Sequence, residues 1–172
     1  MNLAFQPLDP DLNWELFDND LPIPAADLVT INYLTIPSAM SLWSELFSSD
    51  PSRVVHVQLP KDHWARQFTD YGPAWDHYTN DLTLHDDVMP FLLTTLPWDV
   101  EQQVVLVHSS RYVLATKFDT FLKHWRAFIS KNDDPVLLCL NRPEFILFGD
   151  TGMLAVGQRP LVVGEVGKHL PK

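Results

Sequence analysis

The strongest pattern along the chain is a set of large apolar residues at helical spacing. Phe118, Phe121, Leu122, Trp125, Phe128 and Ile129 recur every three or four positions. With 3.6 residues per turn, that places all six on one side of an α-helix, with Lys123 and Arg126 on the other. The spacing predicts a helix over Lys117–Ser130, ended by Asn132-Asp133-Asp134-Pro135. Thr116-Lys117-Phe118-Asp119 resembles a capping box with Asp in the Glu position. A stripe this large needs a covering surface, so Trp125, near its middle, is expected in the core.

Strand-like segments flank this helix. Gln103–His108 and Arg111–Ala115 are rich in β-branched residues and meet at Ser109-Ser110, which predicts two strands and a tight turn. Val136–Leu140, Phe145–Phe148 and Met153–Val156 predict three more. The last two are joined by Gly149-Asp150-Thr151-Gly152, residues suited to a hairpin connection. Asp150-Thr151-Gly152 also resembles the catalytic triplet of aspartic proteases. No second triplet accompanies it, and turn chemistry explains the same letters.

The first hundred residues are cut into short pieces by proline, which occurs 14 times in the chain against six glycines. Ser38–Ser48 carries Met40, Trp43, Leu46 and Phe47 at helical spacing, with Ser38 as the expected cap. Arg53–Leu59 reads as a strand. Lys61–Tyr71 returns to helical spacing through Trp64, Phe68 and Tyr71 and stops at Gly72-Pro73. A short helix is expected from Ala74, and another over Val88–Leu96 behind Asp87 as cap. Pro10–Phe17 has room for one short helix. The rest of residues 1–34 reads as an irregular arm, packed on the body through Trp14, Phe17 and Leu21 because burial of such side chains is favourable.

Together these elements predict a single α+β domain over residues 1–172. Its helical N-terminal part packs with a mainly antiparallel sheet formed by residues 53–59 and 103–157. The length of 172 residues suits one domain. A composition 46% hydrophobic and 20% charged is that of a globular chain.

Charge changes the functional picture. Twelve basic and 22 acidic residues leave a net charge of −10, the wrong sign for general nucleic-acid binding. The imbalance is local: residues 1–100 hold 15 acidic and 3 basic side chains, residues 101–172 hold 7 and 9. The apolar runs are strand-sized, so no membrane span is expected. The start of the chain lacks the basic and apolar regions of a secretory signal, and a cytoplasmic location is the expectation. The single cysteine, Cys139, supplies neither an internal disulfide nor a multi-cysteine metal site. No phosphate-binding glycine loop and no nucleophile elbow is present, so no cofactor is expected.

Two functional readings follow. The first is a non-enzymatic interaction module whose acidic, tryptophan-bearing first part meets a basic protein partner. The second is a metal-assisted hydrolase or metal-dependent binder in the His/Asp-rich segment 56–87. There His77, Asp81 and His85 lie four residues apart, on one face if that segment were helical, and offer two imidazoles and a carboxylate to an ion such as zinc. His63 and Asp70 form a further stripe with Gln67 in the predicted 61–71 helix, a His–carboxylate pairing suited to a general base. Asp62 and Arg66 are expected to pair at the surface. Lys117, Lys123, Arg126 and Lys131 read as a solvated basic face.

Overall fold

A computed structural model of the chain describes residues 3–50, 52–53, 58–75, 87–129, 134–149 and 152–161. Its centre is an eight-stranded sheet: β1 (Phe5–Gln6), β2 (Asn32–Leu34), β3 (Phe68–Ala74), β4 (Gln103–Ser109), β5 (Tyr112–Lys117), β6 (Val136–Leu138), β7 (Glu144–Phe148) and β8 (Met153–Gln158). The spatial order is β1-β2-β5-β4-β6-β7-β8-β3, and every neighbouring pair is antiparallel. Successive side chains on a strand face opposite ways, so strands apolar at every position need cover on both faces. Val104 and Leu106 of β4 accordingly join one core, Val105 and Val107 the other.

Four α-helices lie among the described residues: α1 (Ala25–Leu28), α2 (Ile36–Leu46), α3 (Val88–Thr95) and α4 (Phe118–Ile129). The apolar stripe of α4 packs with Leu106, Leu114, Ile146 and Phe148 on one sheet face, joined there by Val88 and Leu92 of α3. On the other face Leu42, Trp43 and Leu46 of α2 meet Val113, Leu138 and Phe145. The fold is therefore α+β, as the pattern of elements predicts, and Trp125 is buried at 8% exposure. The turn between β7 and β8 closes with a Gly152 N–H to Gly149 carbonyl bond of 3.0 Å, and Gly152 takes φ +74°, a conformation open to glycine without strain.

Several expectations need correction. Residues 61–71 do not form a helix: after a 3-10 turn at Trp64–Arg66, residues 68–74 form β3 on the edge of the sheet, paired with β8. Pairing with a preformed strand outweighs a weak helical spacing in a segment of Thr, Tyr, Gly and Pro. Pro73 is tolerated because β3 is an edge strand with register shifts. Ala74 ends that strand rather than opening a helix. Of the expected strand 53–59, residues 54–57 lie outside the described residues, and Arg53, Gln58 and Leu59 are not in a strand.

The first 34 residues contribute β1 and β2 to the sheet edge instead of remaining wholly irregular. Pro10–Phe17 yields only a 3-10 turn at Trp14–Phe17. The two caps also differ from expectation. Ser38 lies inside α2, where its hydroxyl accepts the Ala4 N–H at 2.9 Å. Because β5 runs directly into α4, Thr116 is a strand residue. The N–H groups of Phe118 and Asp119 instead donate to the carbonyls of Gln102 and Val100, both at 2.8 Å. Asp87 precedes α3 without a side-chain cap bond.

Candidate functional site

The 3-10 turn at Trp14–Phe17 inverts the usual relation between polarity and burial. Asn13 and Glu15 are fully buried along with Leu16, while Leu12, Trp14 and Phe17 stand 51%, 52% and 39% exposed. All six tryptophans of the chain are described, and of these Trp14 alone is exposed. The expected packing through Trp14 and Phe17 is therefore overturned; Leu16 and Ile23 enter the core in their place, with Leu21 partly buried against it.

A buried polar network explains the inversion. The Asn13 side-chain amide donates to the Tyr112 hydroxyl at 2.9 Å, and that hydroxyl donates to Glu15 Oε1. The Tyr33 and His108 rings pack against Tyr112, at 5.3 and 5.1 Å between centroids. Burial, with the Glu15 carboxyl beside it, holds the Tyr112 phenol far above its ordinary pKa, so it remains a hydrogen-bond donor at all working pH. Burial raises the Tyr33 phenol as well. Buried polar groups are costly unless satisfied, so Asn13 and Glu15 Oε1 are held at Tyr112, while Glu15 Oε2 meets no hydrogen-bond partner among the described residues. Between Asn13 and Glu15 the chain has one residue, and the inward turn of both drives Trp14 outward.

The segment is also braced from within. Asn13 Oδ1 accepts the Asp9 N–H at 2.9 Å, and the Asn13 N–H donates to the Asp9 carbonyl at 2.7 Å. Asp9 Oδ1 takes the Asp11 N–H and Asp18 Oδ1 the Asp20 N–H, each at 2.9 Å. These side-chain to backbone turns fix the loop without helical length. The outcome is an ordered surface in which Leu12, Trp14 and Phe17 are surrounded in sequence by Asp9, Asp11, Asp18 and Asp20. Residues 1–52 contain eight acidic side chains and no Lys, Arg or His.

The residues singled out from sequence fare differently. His77, Asp81 and His85 lie outside the described residues, as does His56. Among the described residues no group of three His, Cys, Asp or Glu side chains is placed to hold a metal. His63 and Asp70 do not share a helix face. His63 Nδ1 caps the 3-10 turn by accepting the Ala65 N–H at 3.2 Å, and burial pushes its imidazole below the ordinary pKa of 6.5. Asp70 Oδ1 accepts the Tyr71 N–H at 2.8 Å in β3. Arg66 donates to the Leu59 carbonyl at 3.0 Å. On the basic face of α4, Lys123 pairs with Asp119 at 2.6 Å and Arg126 lies over the Trp125 ring, 5.3 Å from its centroid. Lys117, at the end of β5, pairs with Glu101 at 2.6 Å. Cys139 is buried, its thiol bonded to Asn141 Oδ1 at 2.8 Å and pushed up to about 11 by burial.

The network at Tyr112 was not legible in the sequence. Tyr112 is separated from Glu15 by 97 residues, and nothing local marks Asn13 or Glu15 as inward-facing. The one usable signal was negative: the segment around Trp14 lacks apolar periodicity. No helix among the described residues is long and apolar enough to cross a membrane. A protein-family model described as protein of unknown function (DUF2947) matches residues 6–157, and the chain belongs to that family. No curated protein and no solved structure matches the chain.

Proposed function

We propose that this DUF2947 family member is a non-enzymatic interaction module that presents residues 9–20 to a basic protein partner. The observation that carries this reading is the exposed Trp14, held outward by the buried Asn13–Tyr112–Glu15 network and bordered by aspartates. An exposed tryptophan on a braced turn forms a contact with little loss of conformational freedom, the usual property of an interface hot spot. The aspartates supply charge complementarity, which steers a basic partner and weakens with salt over a Debye length of about 10 Å at 0.1 M. We place the encounter in the cytoplasm, where a lone buried thiol such as Cys139 stays reduced.

The test is affinity capture from the native host with the immobilised chain. The expected result is a basic protein retained at low salt and released at high salt. Trp14→Ala with Phe17→Ala should abolish its retention, while Ile36→Ala, an exposed apolar position on α2, should leave it intact. Hot-spot truncation costs at least about 2 kcal/mol, or roughly 30-fold in affinity. Retention unaffected by the double substitution, or no retained protein at low salt, overturns the reading.

A further inference from the structure

In a 3-10 helix three residues complete a turn, so side chains at i and i+3 stand one above the other. The turn Trp14–Phe17 follows that rule: Glu15 and Leu16 face the core, and Trp14 and Phe17 share the outer side. The result is an aromatic pair on a backbone already braced through Asp9 and Asn13. Among the described residues no other ring and no cation lies against either member of the pair, and the Trp14 indole N–H has no acceptor.

The negative charge beside the pair is uncompensated. Elsewhere carboxylates meet a nitrogen partner: Asp27 of α1 has His124 of α4 at 2.7 Å, and Asp50 has Arg53 at 3.3 Å. Asp9, Asp11 and Asp18 have no such partner among the described residues. Asp20 borders a groove that Lys123 and Arg126 also line, so the uncompensated charge belongs to the other three. All three adjoin the rings. The Asp9 carbonyl accepts the Leu12 and Asn13 N–H groups at 3.0 and 2.7 Å, and Asp18 directly follows Phe17. Asp18 commits Oδ1 to the Asp20 N–H and keeps Oδ2 for a partner.

The two biological cations differ in what such a surface offers them. An ammonium is compact and holds its water tightly. A guanidinium is flat and weakly hydrated, and it stacks on an indole while its edge bonds a carboxylate. Helix α4 shows the stacking contact within this chain, with Arg126 over the Trp125 ring at 5.3 Å.

We propose that the turn recognises an arginine side chain of the partner. The guanidinium lies over Trp14 with its edge to Asp18, and the alkyl stem lies on Phe17. This rests on the reading of residues 9–20 as an interaction surface and names the group that surface selects.

The test follows the backbone amide resonances of the isotope-labelled full chain during titration with the capped peptide Gly-Arg-Gly-Arg-Gly. Matched peptides carry lysine or the neutral isostere citrulline in place of arginine. The arginine peptide is expected to give saturable shifts centred on residues 9–20. The citrulline peptide should bind about tenfold more weakly, the combined worth of an exposed cation–π contact and a surface ion pair. The lysine peptide, which keeps the charge and loses the stacking, should bind roughly threefold more weakly. Asp18→Asn retains an acceptor for the Asp20 N–H and removes the charge, and should cost roughly threefold. Trp14→Leu retains an apolar side chain and should erase the preference for arginine over lysine. Amide signals outside residues 9–20 check that both variants are folded. Equal binding of the three peptides, shifts spread over the whole acidic first part, or an arginine preference that survives Trp14→Leu would overturn the proposal. Failure of the wider reading looks different. If a captured protein depends on Trp14 and Phe17 while the arginine peptide gives no saturable shift, the arginine proposal falls and the interaction surface stands.

Discussion

The turn at Trp14–Phe17 and helix α4 contain the same kinds of side chain and use them in opposite ways. In α4, Trp125, Phe121 and Phe128 are buried and Lys123 is exposed. In the turn, Trp14 and Phe17 face outward and Asn13 and Glu15 are buried. Length accounts for the difference. A helix of 12 residues offers a whole face of apolar positions, so area burial decides its orientation. A turn of four residues has no such face. Its orientation is decided by specific hydrogen bonds, and the aromatic rings go where the polar anchors leave them. Tryptophan content by itself therefore does not locate a core.

The largest effect expected from this contrast separates the two tryptophans. Trp125→Ala should lower stability by about 3–5 kcal/mol, the range for truncating a buried aromatic residue. Trp14→Ala should stay within about 0.5 kcal/mol of the unsubstituted chain, as surface changes do. Chemical denaturation of both variants checks this, and similar losses at the two sites would erase the distinction.

A smaller loss is expected at the anchor. Tyr112→Phe removes one hydroxyl but strips Asn13 and Glu15 of their shared partner, which should cost about 1–3 kcal/mol for buried groups left unsatisfied. Hydrogen exchange should rise through residues 13–17 while α4 stays protected. Uniform loosening of both regions would show that the network does not specifically hold the turn.

The second 3-10 turn, at Trp64–Arg66, sharpens the comparison through pH. Its cap requires a neutral His63, and burial holds that imidazole below 6.5 when folded. The unfolded chain takes up the proton near the ordinary value and the folded chain only at lower pH. The contribution to stability is therefore complete above about pH 6.5 and is lost as pH falls below it. Urea midpoints at pH 8 and pH 5.5 should drop more for the unsubstituted chain than for His63→Gln. Equal drops would remove His63 from the account.

The smallest effect concerns reactivity alone. With its thiol pushed up to about 11, Cys139 is almost wholly protonated at pH 8 and is buried. Alkylation should be slow in the folded protein and fast in urea, because the thiolate is the reactive form. Rapid alkylation of the native chain would contradict its burial.

The contrast also marks how far the sequence could be read. Helix α4 and strands β4 to β8 were legible because each carries its own period: 3.6 residues for Phe118–Ile129, and short β-branched runs bounded by turn residues for the strands. Local spacing does not reveal that residues 68–74 form a strand, because their pairing partner, β8, lies some 80 residues away and edge pairing leaves no mark in that spacing. Residue type alone assigns Trp14 and Phe17 to the core. What places them at the surface is Tyr112, which no local reading connects to Asn13 or Glu15. The His124–Asp27 pair is equally invisible to a local reading, spanning 97 residues from α1 to α4.

The exposure of Trp14 is the claim on which both the contrast and the interaction surface depend. With the six tryptophans labelled by fluorine and assigned through single Trp→Phe variants, a soluble paramagnetic agent reports directly which indoles meet solvent. The Trp14 signal should broaden strongly while those of Trp43, Trp75, Trp98 and Trp125 stay sharp. A Trp14 signal as protected as that of Trp125 would contradict it.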